Sequence, residues 1–292
     1  MGEWTGLALV LMGAASHGLS YTLGKKGVAA SDVLTFSLFR SGAGAVLLLV
    51  VFLQFGYWEH LRNLPVNYLG LALLSAILNF WTMLGFFWAL RLGRLSLMAP
   101  LHMSYPLFVF AFGSLFLSEK VTGSLFFGSV GILAGIAMIA ISQDHQESHG
   151  SRAEKTLASL LAVSSSMSWG VSLVIDKFLL EHMPPIALNL VKIGAPALGF
   201  FLVSRSNGPV PKLRREEMGH AVASGILGLV VANLLYFSAL KNSQSVWVAP
   251  LSSTSMLFSL IFAILILGER PKGVHLLATV LVFGGVFLVS AR

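Results

Sequence analysis

Residues Tyr105–Ser142 read YPLFVFAFGSLFLSEKVTGSLFFGSVGILAGIAMIAIS. A polar junction, Ser118-Glu119-Lys120, separates two apolar runs, and neither run carries a charge. The first extends back to residue 96 and the second ends at 142, so each matches the roughly 20 apolar residues that cross a bilayer as a helix. Pro106 opens the first run, and Gly123, Gly128, Gly131 and Gly135 punctuate the second.

The same texture fills the rest of the chain. Of 292 residues, 56% are hydrophobic and 11% charged, against roughly 25% charged in a soluble domain. The mean hydropathy is +0.83. Ten apolar spans are predicted, at 4–24, 32–55, 66–90, 96–117, 123–142, 156–180, 184–204, 218–240, 245–267 and 273–290. This excludes a soluble enzyme, a nucleic-acid-binding domain and a disordered chain. The net charge of +7 belongs to the loops beside the spans, as in other membrane proteins. The chain has no cysteine, hence no disulfide, thiol nucleophile or thiolate metal site. Met1-Gly2-Glu3 is not the positive start of a cleaved signal peptide, so the first span is expected to be retained.

The chain repeats itself. A shift of 150 residues lays 84–141 on 234–291 without a gap, with 16 identities in 58 positions. Ala99-Pro100-Leu101 meets Ala249-Pro250-Leu251, Glu119 meets Glu269, Gly123 meets Gly273, and Gly135 meets Gly285. Under a shift of 152, Ser16 meets Ser168, Gly18 meets Gly170, Lys25 meets Lys177, Arg40 meets Lys192, and Gly42 meets Gly194. The expected division is residues 1–142, a polar linker at 143–155, and residues 156–292. Five spans is an odd number, so the second copy enters the membrane from the opposite side. The fold class is therefore an all-α polytopic membrane protein, ten transmembrane helices as two inverted five-helix repeats. Many secondary transporters use that architecture for alternating access.

The Tyr105–Ser142 stretch resembles the closing helix pair of an EamA domain: a proline, an apolar helix, a Gly/Ser-Glu-Arg/Lys junction and a Gly-rich helix. The second copy has the junction as Leu267-Gly268-Glu269-Arg270. Ser168-Trp169-Gly170 with Lys177 resembles the domain's first helix, and Arg40 its second-helix arginine. His17 stands where the first copy would normally carry Trp, and Met256 replaces a proline of the second. The resemblance covers nearly the whole chain and implies a ten-helix member of the drug/metabolite transporter superfamily.

No His-Glu-x-x-His, Gly-x-Ser-x-Gly or P-loop motif is present, and eleven of the twelve acidic residues sit in loops or at span ends. No enzyme activity, cofactor or metal is expected. Asp176 is the embedded acid, and Arg40 and Lys192 are the embedded cations. Such charges snorkel, pair or face a water-filled cavity, and Asp176 is placed to pair with a cation from another helix. Glu119 and Glu269 are expected at the interface in water, near the start of the following helix.

Polar and aromatic groups crowd the first, third, fourth, sixth, eighth and ninth spans. The candidates for substrate binding are His17 and Tyr21, Asn79 and Trp81, and His102 and Tyr105 in the first half. In the second half they are Ser168 and Trp169, Asn233 and Tyr236, and Ser253. Amide and imidazole groups need partners in lipid, whereas a single hydroxyl is equally served by its own helix. The predicted site lies between the repeats, with His17 and Trp169, equivalent under the 152 shift, facing each other across it. Hydroxyl and aromatic groups with few embedded acids favour amino-acid-like, zwitterionic or aromatic-bearing solutes, and the embedded cations leave organic anions open. The expected function is a transporter in a cell membrane, that of a bacterial inner membrane for preference, acting as exporter or exchanger. The alternatives are a passive channel or facilitator and an organic-anion exchanger. His17 and His102 titrate near neutrality in water and are the candidates for proton coupling. A monomer or weak dimer is expected, Gly131 and Gly135 packing within the chain. Loop cations concentrate after odd-numbered spans, which by the positive-inside rule puts both termini outside. The family resemblance puts both in the cytoplasm. Both readings place them on one side.

Overall fold

The computed structural model describes residues 3–28, 32–62, 64–92, 98, 101–143, 152–206, 212–268 and 273–290. Among these residues every regular element is a helix. The first half holds α1 (Glu3–Val28), α2 (Val33–Gln54), a short α3 (Trp58–Arg62), α4 (Val66–Leu92), α5 (Tyr105–Leu117) and α6 (Gly123–Gln143). The second holds α7 (Arg152–Leu179), α8 (Pro185–Ser206), α9 (Arg215–Ser224) and a π-helical stretch, Gly225–Ala232. After it come α10 (Asn233–Asn242), α11 (Ser245–Ser252), α12 (Ser255–Leu267) and α13 (Gly273–Ser290).

Seven helical stretches among the described residues are long and apolar enough to cross a bilayer: Trp4–Gly24, Leu34–Gln54, Val66–Phe86, Ala153–Leu179, Pro185–Ser206, Arg215–Asn242 and Ser245–Ile266. Three apolar helices are shorter, Leu101–Leu117, Gly123–Met138 and Leu277–Ser290. Side chains are distributed inside out relative to a soluble protein. Leu49, Val50 and Leu53 of α2, Leu73 and Leu74 of α4, and Phe283 and Phe287 of α13 are exposed, whereas Ser75, Ser165, Asp176 and Asn189 are fully buried. Hydrocarbon rewards that arrangement: apolar side chains face lipid, and polar ones must find partners inside. The protein is a multi-pass membrane protein.

Packing falls into two compact units, one of Met1–Ile77 with Ile175–Asn242, the other of Leu78–Val174 with Ser243–Arg292. In the first, α1 runs antiparallel to α9, the π stretch and α10. Ser20 lies against Ser224, Ser16 against Leu227, and Gly13 against Ala232. A Cβ on Gly13 would stand 3.2 Å from the Ala232 carbonyl oxygen, so glycine lets the two helices approach closely there. The α2 helix, capped by Asp32 through the Thr35 N–H at 2.8 Å, packs on α8 and the π stretch through Leu48, Ile193 and Val230.

In the second unit α6 packs on α13, and the contact is antiparallel. A Cβ on Gly128 would come within 2.7 Å of the Gly285 carbonyl oxygen, and one on Gly135 within 2.7 Å of the Ala278 carbonyl oxygen. Under the 150-residue shift Gly128 corresponds to Ala278 and Gly135 to Gly285. Gly128 thus meets the equivalent of Gly135, and Gly135 the equivalent of Gly128, the reciprocal pairing that marks a local two-fold axis. Gly131 and Gly135 pack within the chain, against α13. Both α5 and α12 stop on a left-handed residue at the same repeat position: Ser118 (φ 55°) and Gly268 (φ 69°). Their N–H groups bond to Gly113 O and Ala263 O, also equivalent positions.

Candidate functional site

The first unit holds a polar row on the π stretch. A π turn spreads its carbonyls out of the regular ladder, and π segments recur at functional sites. Here the carbonyls are used by side chains from other helices. Just before the stretch Ser20 donates to Ser224 O at 2.7 Å; within it Ser16 donates to Leu227 O at 2.8 Å, and Asn189 Nδ2 of α8 to Leu229 O at 2.9 Å. That last bond orients a relay. With its amide nitrogen on a carbonyl, Asn189 presents Oδ1 to Asn233 Nδ2 at 3.1 Å, and Asn233 Oδ1 then accepts from His17 Nε2 at 3.2 Å. His17 is therefore the Nε2–H tautomer. Its Nδ1 is a buried acceptor with no partner among the described residues. The imidazole stacks on Tyr21 at 5.7 Å, and Arg40 Nη2 reaches the Ser20 hydroxyl at 3.4 Å. Tyr236 lies buried edge-on to Phe237. At the other embedded cation, Lys192 forms an ion pair with Asp176 and lies over the Phe237 ring, and Ser75 donates to Asp176 Oδ1 at 2.5 Å.

The second unit holds a ladder of rings. Phe86 of α4 stacks on His102 (4.1 Å), His102 on Trp169 of α7 (5.2 Å), and Trp169 on Tyr105 at the start of α5 (4.0 Å). The His102 and Tyr105 rings are held by polar bonds, and Ser168 beside Trp169 makes another. His102 Nδ1 meets Ser165 Oγ at 2.6 Å, Ser165 donates to Thr82 O at 2.9 Å, and Ser168 donates to Leu78 O at 2.9 Å. The Tyr105 hydroxyl donates to Ala249 O at 2.9 Å and accepts from Ser253 at 3.1 Å. The ladder stands where helices break. Ser104 turns the chain into α5, and Ser253-Thr254 separates α11 from α12. Ser104 and Thr254 are repeat equivalents, and each hydroxyl bonds the carbonyl three residues back at 2.7 Å. Interrupted helices of this kind mark solute sites in transporters.

The predicted candidates therefore fall into two groups. His17, Tyr21, Asn233 and Tyr236, with Arg40, Asp176 and Lys192, belong to the first unit. Asn79, Trp81, His102, Tyr105, Ser168, Trp169 and Ser253 belong to the second. Trp81 is 44% exposed and stands apart from the ring ladder, and Asn79 is half-buried. Sequence reasoning passed over Asn189 and Phe86. An amide inside the seventh predicted span was the available signal for Asn189; nothing marked Phe86 among the other aromatic residues. Glu119 corrects an expectation: it is only 7% exposed, and it caps α11 rather than the helix that follows it. Its carboxylate accepts Ser245 N–H at 2.7 Å, Val246 N–H at 2.9 Å and the Ser245 hydroxyl at 2.6 Å. Pro100, Glu269 and Arg270 lie outside the described residues. Among the described residues no group of three His, Cys, Asp or Glu is placed to hold a metal.

Comparison with known proteins agrees with this architecture. A crystal structure of a protein is similar to 97% of this chain and 95% of its own, with a TM-score of 0.83 at 17% identity, which shows a shared fold and nothing further. None of the curated proteins matches. Residues 4–141 and 156–291 each match the EamA-like transporter family, so both halves carry the family's pattern and the match spans most of the chain. That family is one of transporters rather than enzymes, and it implies a small-molecule substrate and a lipid surround. The chain belongs to the EamA-like transporter family, within the drug/metabolite transporter superfamily.

Proposed function

We propose that the chain is a secondary transporter that carries an amino-acid-like solute with an aromatic or other flat apolar group, as exporter or exchanger, by alternating access. Its architecture on this reading is ten spanning helices in two inverted repeats, 1–142 and 156–292, joined by the linker 143–155. The antiparallel, two-fold pairing of α6 with α13 supports inversion, since copies of the same hand of insertion would bring equivalent helices together parallel. The observation that carries the substrate reading is the ring ladder Phe86–His102–Trp169–Tyr105, beside two helix breaks. Stacked rings present a flat apolar face, and the imidazole in their midst adds a polar handle.

The test is counterflow of a radiolabelled aromatic amino acid in proteoliposomes. Flux is expected to saturate and to be stimulated by the same solute on the opposite side. Trp169→Ala is expected to raise the half-saturating concentration by about tenfold, the loss of a stacking surface. Phe116→Ala serves as control, because Phe116 is 68% exposed and points away from the polar interior. Flux that rises linearly with concentration and shows no counterflow identifies a channel, and conversion of solute without movement identifies an enzyme. If Trp169→Ala and His17→Ala both keep normal affinity and rate, the substrate binds elsewhere.

A further inference from the structure

Two embedded cations occupy equivalent positions in the two repeats, and the structure treats them differently. Lys192 has its counter-ion, Asp176, itself held by Ser75. Arg40 is the equivalent of Lys192, and the equivalent of Asp176 under the same 152-residue shift is Gly24. Lys25 and Lys177, the next residues along, keep that register fixed. Among the described residues no carboxylate is in ion-pair range of Arg40; its polar contact is the Ser20 hydroxyl at 3.4 Å. A side chain at that equivalent position would meet no obstruction, since a Cβ on Gly24 has no atom within 4 Å. A guanidinium about 10 Å along its helix from the start of α2 is costly in lipid without an anion. The neighbouring His17 Nδ1 is an acceptor that the Asn233–Asn189 relay cannot satisfy.

We propose that Arg40 binds the carboxylate of the transported solute, which takes the place that Asp176 holds in the other repeat, while His17 Nδ1 accepts an N–H or O–H carried beside that carboxylate. The substrate class is then α-amino or α-hydroxy acids. This deepens the transport reading and rests on it for calling the bound acid a cargo.

Binding to purified protein in phosphatidylcholine nanodiscs, by calorimetry, tests the proposal with three probes. Wild type is expected to bind L-phenylalanine at least about tenfold more tightly than L-phenylalaninamide, which lacks the carboxylate, and than 3-phenylpropionate, which lacks the donor. Gly24→Asp, which restores the internal counter-ion, is expected to abolish the preference for phenylalanine over its amide and to raise thermal stability. Arg40→Gln is expected to lose the same preference, and Arg40→Lys to keep part of it. Equal binding of phenylalanine and its amide by wild type overturns the proposal whatever the variants do, as does a Gly24→Asp protein that keeps the preference. Equal binding of phenylalanine and 3-phenylpropionate overturns the part assigned to His17. A lipid phosphate at Arg40 would give no carboxylate preference and an Arg40-dependent stabilisation by added phosphatidylglycerol, which also overturns it. Carboxylate preference without counterflow in proteoliposomes refutes the carrier and leaves the site standing; counterflow without preference does the reverse.

Discussion

Asp176 and Lys192 are both buried, at 0% and 5% exposure, so neither charge has water to fall back on. Each is held by the other, with the Ser75 hydroxyl on the remaining carboxylate oxygen. Removing one partner leaves the other uncompensated in a low-dielectric interior, a loss of about 3–5 kcal/mol, whereas removing both is close to neutral. Asp176→Asn and Lys192→Met are therefore each expected to lower thermal stability sharply in detergent, and the double variant to recover most of it. A double variant as unstable as the worse single would show that the pair is not the unit. The two residues lie 16 apart in sequence, so the sequence could name an embedded acid and expect a cation for it. Which of the embedded cations it meets is decided by the packing of α7 against α8, which periodicity does not encode.

At the scale of elements, the repeats preserve detail well below helix positions. Ser168 bonds Leu78 O and lies one α turn from the Thr82–Ser165 contact; Ser16 bonds Leu227 O, one π turn from the Ala232–Gly13 contact. The extra residue in the second copy's helix is where the register slips, and nothing in the apolar string Gly225–Ala232 announces it. The left-handed ends of α5 and α12 are better suited to one residue than the other. Ser118 is exposed and carries a side chain at φ 55°, a conformation that costs an L-residue about 1–2 kcal/mol, while Gly268 takes φ 69° freely. Ser118→Gly is expected to raise stability by about 1 kcal/mol, and Gly268→Ala to lower it by a similar amount, read from chemical unfolding in micelles. No change in either would mean that these ends are frayed. The junction was legible in the sequence as a motif. The role of Glu119 was not, because the helix it caps begins 126 residues later.

For the whole molecule, the apolar runs and the duplication were legible because hydrophobicity and self-similarity are properties of the chain alone. The ring ladder was legible in part: His102, Tyr105 and Trp169 stood out as polar or aromatic groups within spans, but their stacking depends on how three separate helices meet. The contact between α6 and α13 has a different implication, one of timing. Its closest pair, Gly128 and Gly285, is separated by more than half of the chain. At about 5–20 residues per second, α6 leaves the ribosome roughly 8–30 s before α13 exists. Through that interval its groove of glycines faces lipid or a chaperone rather than its partner. On this account α13 completes an interface that α6 prepares, and the two halves are expected to meet even as separate chains. Residues 1–142 and 156–292 expressed as separate polypeptides are expected to co-purify, and Gly128→Leu to abolish the association. Halves that never associate would mean that the tether itself drives the pairing.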